Sequence, residues 1–182
     1  MAPIDVIDVR KRLQWAISQR QSADPNRVCA MSVSADLPHV DEHSIAIEAT
    51  AGATWDALLR VVEGSFSSGA SSKGARLLDC ADTIATGPRP LDTGSVLPGF
   101  HVEAAERQQK LALAGGHRFS DYALIFRLDE HGDSRTLLRA ETRATFPGLK
   151  GRAYRAMVIG TRMHVLVTRR ILAAAKRSAE RH

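Results

Sequence analysis

Three side chains in this sequence combine titratable chemistry with apolar surroundings: His117, Tyr122 and His164. His164 lies in the stretch from Gly151 to Arg181, where projection at about 100° per residue puts it near the middle of an apolar helix face. An imidazole there could orient a ligand carbonyl or act as acid or base near neutral pH, or it could be a core histidine bonded to backbone. His117 shares a strand face with Leu111, Leu113 and Phe119, and Tyr122 shares its own with Leu124 and Phe126. Both flank one turn, so they are expected to converge at a cavity mouth with Arg118 nearby. A tyrosine at such a rim has a ring for apolar contact and a hydroxyl for one ligand oxygen, and it also serves as an ordinary interfacial core residue. Glu141, between Arg139 and Arg143, reads as a surface charge pair without a catalytic role. There is no G-x-S-x-G, no H-E-x-x-H and no phosphate-binding glycine loop. Cys29 and Cys80 lack C-x-x-C spacing, so neither a zinc site nor a redox pair is expected, and no cofactor is.

These residues need elements to position them. Arg155, Arg162, Arg169 and Lys176 fall seven apart with Arg152, Arg170 and Arg177 beside them, which makes one basic face on the final stretch. The opposite face carries Tyr154, Met157, Thr161, Val165, Thr168, Leu172 and Ala175 on one flank and Ala156, Met163, Val167 and Ile171 on the other. A single helix over this stretch is roughly 45 Å long and needs a surface of that size to cover. The strands before it supply one. HSIAIEA from His43 alternates as a strand, and Thr50 or Thr54 can cap a helix whose Trp55, Leu58, Leu59 and Val62 share a face and which should end near Gly64. The run SSGASSKG has the composition of a flexible connection, Arg76 to Ile84 that of a short strand, and GPRPLDTGSVLPG that of a loop. Four alternating segments follow, around Phe100, Leu111, Tyr122 and Leu138, with DEHGDS as a turn and Pro147-Gly148 as a stop. The expected fold is α+β: a curved antiparallel sheet with one apolar and one polar face, gripping the C-terminal helix on its concave side.

At 182 residues the chain suits one main domain. Residues 39–182 hold the strong patterning. Residues 1–38 read as a weakly structured extension with a short helix over Asp5 to Gln19, and Met31 stands just before the patterned region. No apolar run approaches the eighteen or so residues of a membrane span, and the first residues lack a signal-peptide core, so a cytoplasmic protein is expected. The net charge of +5 is uneven: from Lys150 onward it is +8, and before it −3. Such a stripe suits an anionic membrane surface or an acidic partner, or is simply the solvated side of the helix. Ile159 and Leu166 within it are unusual for a purely solvated face. Sequence-specific nucleic-acid reading is not expected, since no aromatic platform accompanies the charge.

The stretch IAIEATAGATWDALLRVV resembles the opening strand and helix of the START-like (SRPBCC) helix-grip superfamily, which includes birch-pollen allergens, polyketide cyclases and lipid-transfer domains. RFSDYALIFRLDEHGDSRTLLRAETRATFPG followed by GRAYRAMVIGTRMHVLVTRRIL is similar to bacterial members of that superfamily. The resemblance spans about His43 to Ala179 and implies a cavity between sheet and helix that takes hydrophobic small molecules. It carries over no catalytic residues, because the superfamily shares none. Tyr122, Leu124, Phe126, Met157, Thr161, His164, Val165 and Thr168 are the expected ligand-binding residues. Three functions follow as expectations: binding a lipid or polyketide-like molecule, a cyclase, dehydratase or hydrolase using His164, His117 and Tyr122, and peripheral contact through the basic face.

Overall fold

The computed structural model describes residues 33–67, 69–132, 134–160 and 162–181. The expected helix over residues 5–19, Cys29 and Met31 lie outside them. Along the chain come α1 (Val33–Asp36), β1 (His39–Ile47), α2 (Ala51–Phe66), α3 (Gly69–Leu77), β2 (Val96–Leu97), β3 (Phe100–Glu106), β4 (Lys110–His117), β5 (Ser120–Glu130), β6 (Thr136–Thr145), α4 (Gly148–Gly160) and α5 (Met163–Ala179). The six strands form one antiparallel sheet in the order β1-β6-β5-β4-β3-β2.

Alternation places Leu111 and Leu113 of β4, Leu124, Phe126 and Leu128 of β5, and Leu138 and Ala140 of β6 on the inner face. There they meet Trp55, Leu58, Leu59 and Val62 of α2 and Ile171, Leu172, Ala175 and Ala179 of α5. Helix α2 starts where the sequence places it: Thr50 is the N-cap and its hydroxyl accepts the Ala53 N–H at 3.2 Å. It runs two residues beyond Gly64, to Phe66. The outer face is less polar than expected. Ala112, Ala123 and Ile125 are buried there against Leu37 and Ala104. Glu141 is not at the surface but only 7% exposed, 2.6 Å from Arg143 Nε and 3.6 Å from Arg127 Nη2. Two guanidinium groups pair with it, and that of Arg143 also donates to Leu37 O at 3.3 Å, which is how a carboxylate is buried without being stranded.

Two stretches differ from the sequence expectation. Gly69–Leu77 is a helix, and Arg76 to Ile84 contains no strand, because Arg76 and Leu77 end α3 instead. The helix closes with Cys80 N–H on Ala75 O at 2.9 Å and Asp79 N–H on Arg76 O at 3.2 Å, around Asp79 at φ 59°. That is a Schellman closure with aspartate where glycine is usual. Ala75 is buried on this helix, so packing and the Schellman closure, not propensity, hold a Gly- and Ser-rich segment. The second difference is the closing helix, which is two helices. Arg162, between α4 and α5, adopts a left-handed backbone with φ 54° and ψ 22°. The wide apolar face narrows accordingly: Ala156 is exposed, Met163 is 54% and Val167 43% exposed, and Thr168, Ile171, Leu172, Ala175 and Ala179 are buried. The basic face is divided by the same break. Lys176 also leaves it, turning its ammonium to Ala46 O at 2.6 Å and Glu180 Oε1 at 2.8 Å.

Candidate ligand cavity

The two halves of the inner face are filled differently. Where α2 and the C-terminal half of α5 pack, β6 offers Leu138 and β4 offers Leu111 and Leu113, all fully buried. Toward the other end the inward residues shrink to Thr142 and Ala144 on β6, Ser120 at the start of β5 and Thr168 on α5. Small side chains cannot span the gap between sheet and helix. A cavity of about 260 Å³ remains there, well above the roughly 10–15 Å³ one water needs.

Its walls carry six aromatic rings. Phe66, Phe100, His117, Tyr122, Phe146 and Tyr154 line it, joined by Val40, Leu78, Leu124 and Val167. The rings hold one another edge to face: Phe100 and Tyr122 at 5.2 Å between centroids, His117 and Tyr154 at 4.8 Å. His117 and Tyr122 are 5.5 Å apart. The Tyr122 hydroxyl donates to Gly99 O at 2.8 Å, with Cys80 Sγ at 3.9 Å. Burial pushes this phenol far above its ordinary range, so it stays protonated at neutral pH. Burial lowers the His117 pKa against a smaller opposing effect of the Asp121 charge. His117 Nδ1 accepts the Phe119 N–H at 3.1 Å, which places the proton of the neutral ring on Nε2.

His164 stands on the cavity wall in the first turn of α5. Its Nε2 is 2.9 Å from Asp41 Oδ2, and His43 Nε2 approaches the same oxygen at 3.3 Å. Asp41 pairs with Thr142 and His43 with Ala140 across the β1–β6 ladder, so both point to the inner face. Among the described residues no group of three or more His, Cys, Asp or Glu is arranged to hold a metal ion.

No protein-family model matches the sequence, and no curated protein does. Solved structures do match. The di-domain ARO/CYC StfQ from the steffimycin biosynthetic pathway aligns with a TM-score of 0.51 at 10% identity, over all of this chain and 62% of that one. The chain shares the helix-grip fold of that structure. CalU16 from Micromonospora echinospora aligns at 0.47 and 15% identity over 75% of this chain and 65% of its own. The Zhui aromatase/cyclase from Streptomyces sp. R1128 aligns at 0.46 and 16% identity over 80% and 94%.

Within this helix-grip chain, five sequence-predicted residues share the cavity wall: His117, Tyr122, Leu124, His164 and Thr168. Phe126, expected among them, is fully buried in the core instead, because it sits two pairs deeper along β5, opposite Leu111. Val165 is half-buried and does not line the cavity. Thr161 and the side chain of Met157 lie outside the described residues. His164 is not bonded to backbone through Nε2 but to a carboxylate. Sequence reasoning missed Asp41, His43 and Thr142. The signal was present in HVDEHSIAI: Asp41, His43, Ile45 and Ile47 alternate, so two polar residues open the strand's inward row.

Proposed function

We propose that this protein binds a compact hydrophobic small molecule in the cavity between its sheet and its C-terminal helices. The observation that carries the reading is the 260 Å³ space ringed by six aromatic side chains. Its volume is below the roughly 300–1,000 Å³ typical of drug-sized sites, which suits one or two rings better than a two-chain lipid. Burying about 200 Å² of apolar ligand surface contributes roughly 5 kcal/mol before the cost of association. The fold likeness to StfQ, a di-domain ARO/CYC from the steffimycin biosynthetic pathway, supports a small-molecule ligand without identifying it.

Titration with 2-methoxynaphthalene, followed by calorimetry, tests the reading. Saturable one-site binding is expected, and native mass spectrometry of protein from its own host should show a co-purifying apolar compound. Absence of probe binding would end the proposal.

An acid–base enzyme on the same walls is the second reading. The 5.5 Å separation of His117 and Tyr122 favours it. Against it, the Tyr122 hydroxyl is committed to Gly99 and its phenol does not ionise near neutrality. Peripheral membrane contact has less support, since the basic face is split at Arg162 and has lost Lys176. No described helix is long and apolar enough to cross a membrane.

A further inference from the structure

We propose that the β1–β6 end of the cavity is a polar anchor, in which Asp41 and Thr142 select ligands that carry a hydrogen-bond donor, a hydroxyl or an amine. This rests on the cavity reading above and adds the chemistry of the ligand's polar end. Thr142 and His164 stand on the wall, and Asp41 lies beside Thr142 on the same face of the sheet. His164 Nε2 bonds to one oxygen of the Asp41 carboxylate, Oδ2, at 2.9 Å, and His43 Nε2 lies 3.3 Å from the same oxygen without forming a hydrogen bond. The other oxygen, Oδ1, is buried without a hydrogen-bond partner, and so is Thr142 Oγ1. Two neighbouring oxygens are thus left with acceptor capacity at the edge of an otherwise apolar space.

The chemistry of those oxygens decides what fits. A carboxylate oxygen only accepts, while a threonine hydroxyl accepts one bond and donates another. An ether or ketone cannot satisfy Oδ1, and a ligand carboxylate is repelled by Asp41. A hydroxyl or ammonium can bond to it, and bonds to a charged acceptor are the stronger kind. His164 acts as a positioning residue: its Nε2 bonds to Oδ2 and so fixes the carboxylate from α5, with the His43 ring beside it on the same strand. The Asp41 side chain is 22% exposed overall, so the unliganded protein tolerates a carboxylate that a sealed core would not. The aromatic end around His117 and Tyr154 then takes the body of the ligand.

The test is a calorimetric titration of the full chain with 2-naphthol and with 2-methoxynaphthalene, which has the same ring system but no donor. 2-Naphthol should bind about tenfold or more tightly, and 2-naphthylamine should share that preference. Thr142→Val and Asp41→Asn should each bring the ratio of the two affinities toward one. Equal affinity of the wild type for both probes overturns the anchor and leaves the cavity reading intact; this comparison needs no variant to fold. A preference that survives in both folded variants also overturns it. If neither probe binds, the cavity reading fails and the anchor with it.

Discussion

Tyr122 is held in place by what Gly115 lacks. The two residues face each other across the β4–β5 ladder, and a Cβ on Gly115 would run into Gly99 O and the Tyr122 ring. Gly115→Ala should therefore cost about 1–3 kcal/mol by overpacking, read as a lower denaturation midpoint. Tyr122→Phe keeps the ring but drops the bond to Gly99, and about 1 kcal/mol is the expected loss. His117 gives a pH signature. Folding withdraws its ring from water and lowers its proton affinity below the ordinary value of 6.5, so as pH falls the unfolded chain binds the proton first. Stability contributed by the neutral ring is full above pH 6.5, falls as pH drops through that value, and levels out once the folded ring also protonates. Urea midpoints from pH 8 to 5 should decline less in His117→Gln than in the wild type, and identical slopes would refute the assignment. His117 and Tyr122 were legible as neighbours because strand alternation and one short turn bring them together. The bond between His164 and Asp41 was not, since it joins residues 123 apart and no local spacing encodes it.

At the scale of elements, the strands were easy and the helix ends were hard. Alternating residues fixed the faces of β4 to β6, because a period of two has no competing explanation over eight to eleven residues; in β3 a bulge between Val102 and Ala104 turns Ala104 to the outer face. The seven-residue recurrence of Arg155, Arg162 and Arg169 suggested one helix, yet the break falls on one of its members, Arg162, and a recurrence of residue type does not report backbone conformation. Gly160 was the only local hint, and an isolated glycine in a helical pattern is weak evidence. Asp79 concealed the end of α3 in the same way, by occupying a left-handed position where the sequence rule looks for glycine. Arg162 makes the break testable. A residue with a Cβ at φ 54° is strained, so Arg162→Gly should be neutral or stabilise by up to about 1 kcal/mol. Arg162→Val, branched at Cβ, should destabilise by roughly 1–2 kcal/mol. Thermal midpoints of both variants check this, and a continuous helix through residue 162 would give the opposite order.

At the scale of the whole molecule, a domain with a well-filled core has a cavity at one end. The resemblance read from the sequence implied a cavity, but whether it is open depends on side-chain volumes summed across facing elements, and a one-dimensional pattern does not report that sum. Here the sum is short because Ser120, Thr142, Ala144 and Thr168 face one another, whereas Leu111, Leu113, Phe126 and Leu138 fill the opposite end. Close-packed interiors lose contacts around any void, so the space lowers stability unless a ligand fills it. Ala144→Leu puts this to the test. Ala144 lines the cavity and is only 8% exposed, and leucine would project three extra carbons into the space. The variant should lose 2-methoxynaphthalene binding by at least about tenfold, while its unliganded thermal midpoint stays level or rises by roughly 2–4 °C for each 1 kcal/mol gained. Adding the probe to the wild type should raise the midpoint as occupancy grows, and the variant should not respond. A fall in the variant's midpoint would mean that the walls have no room for a leucine. The cavity would then be closed in solution, and the ligand-binding function would have to be given up.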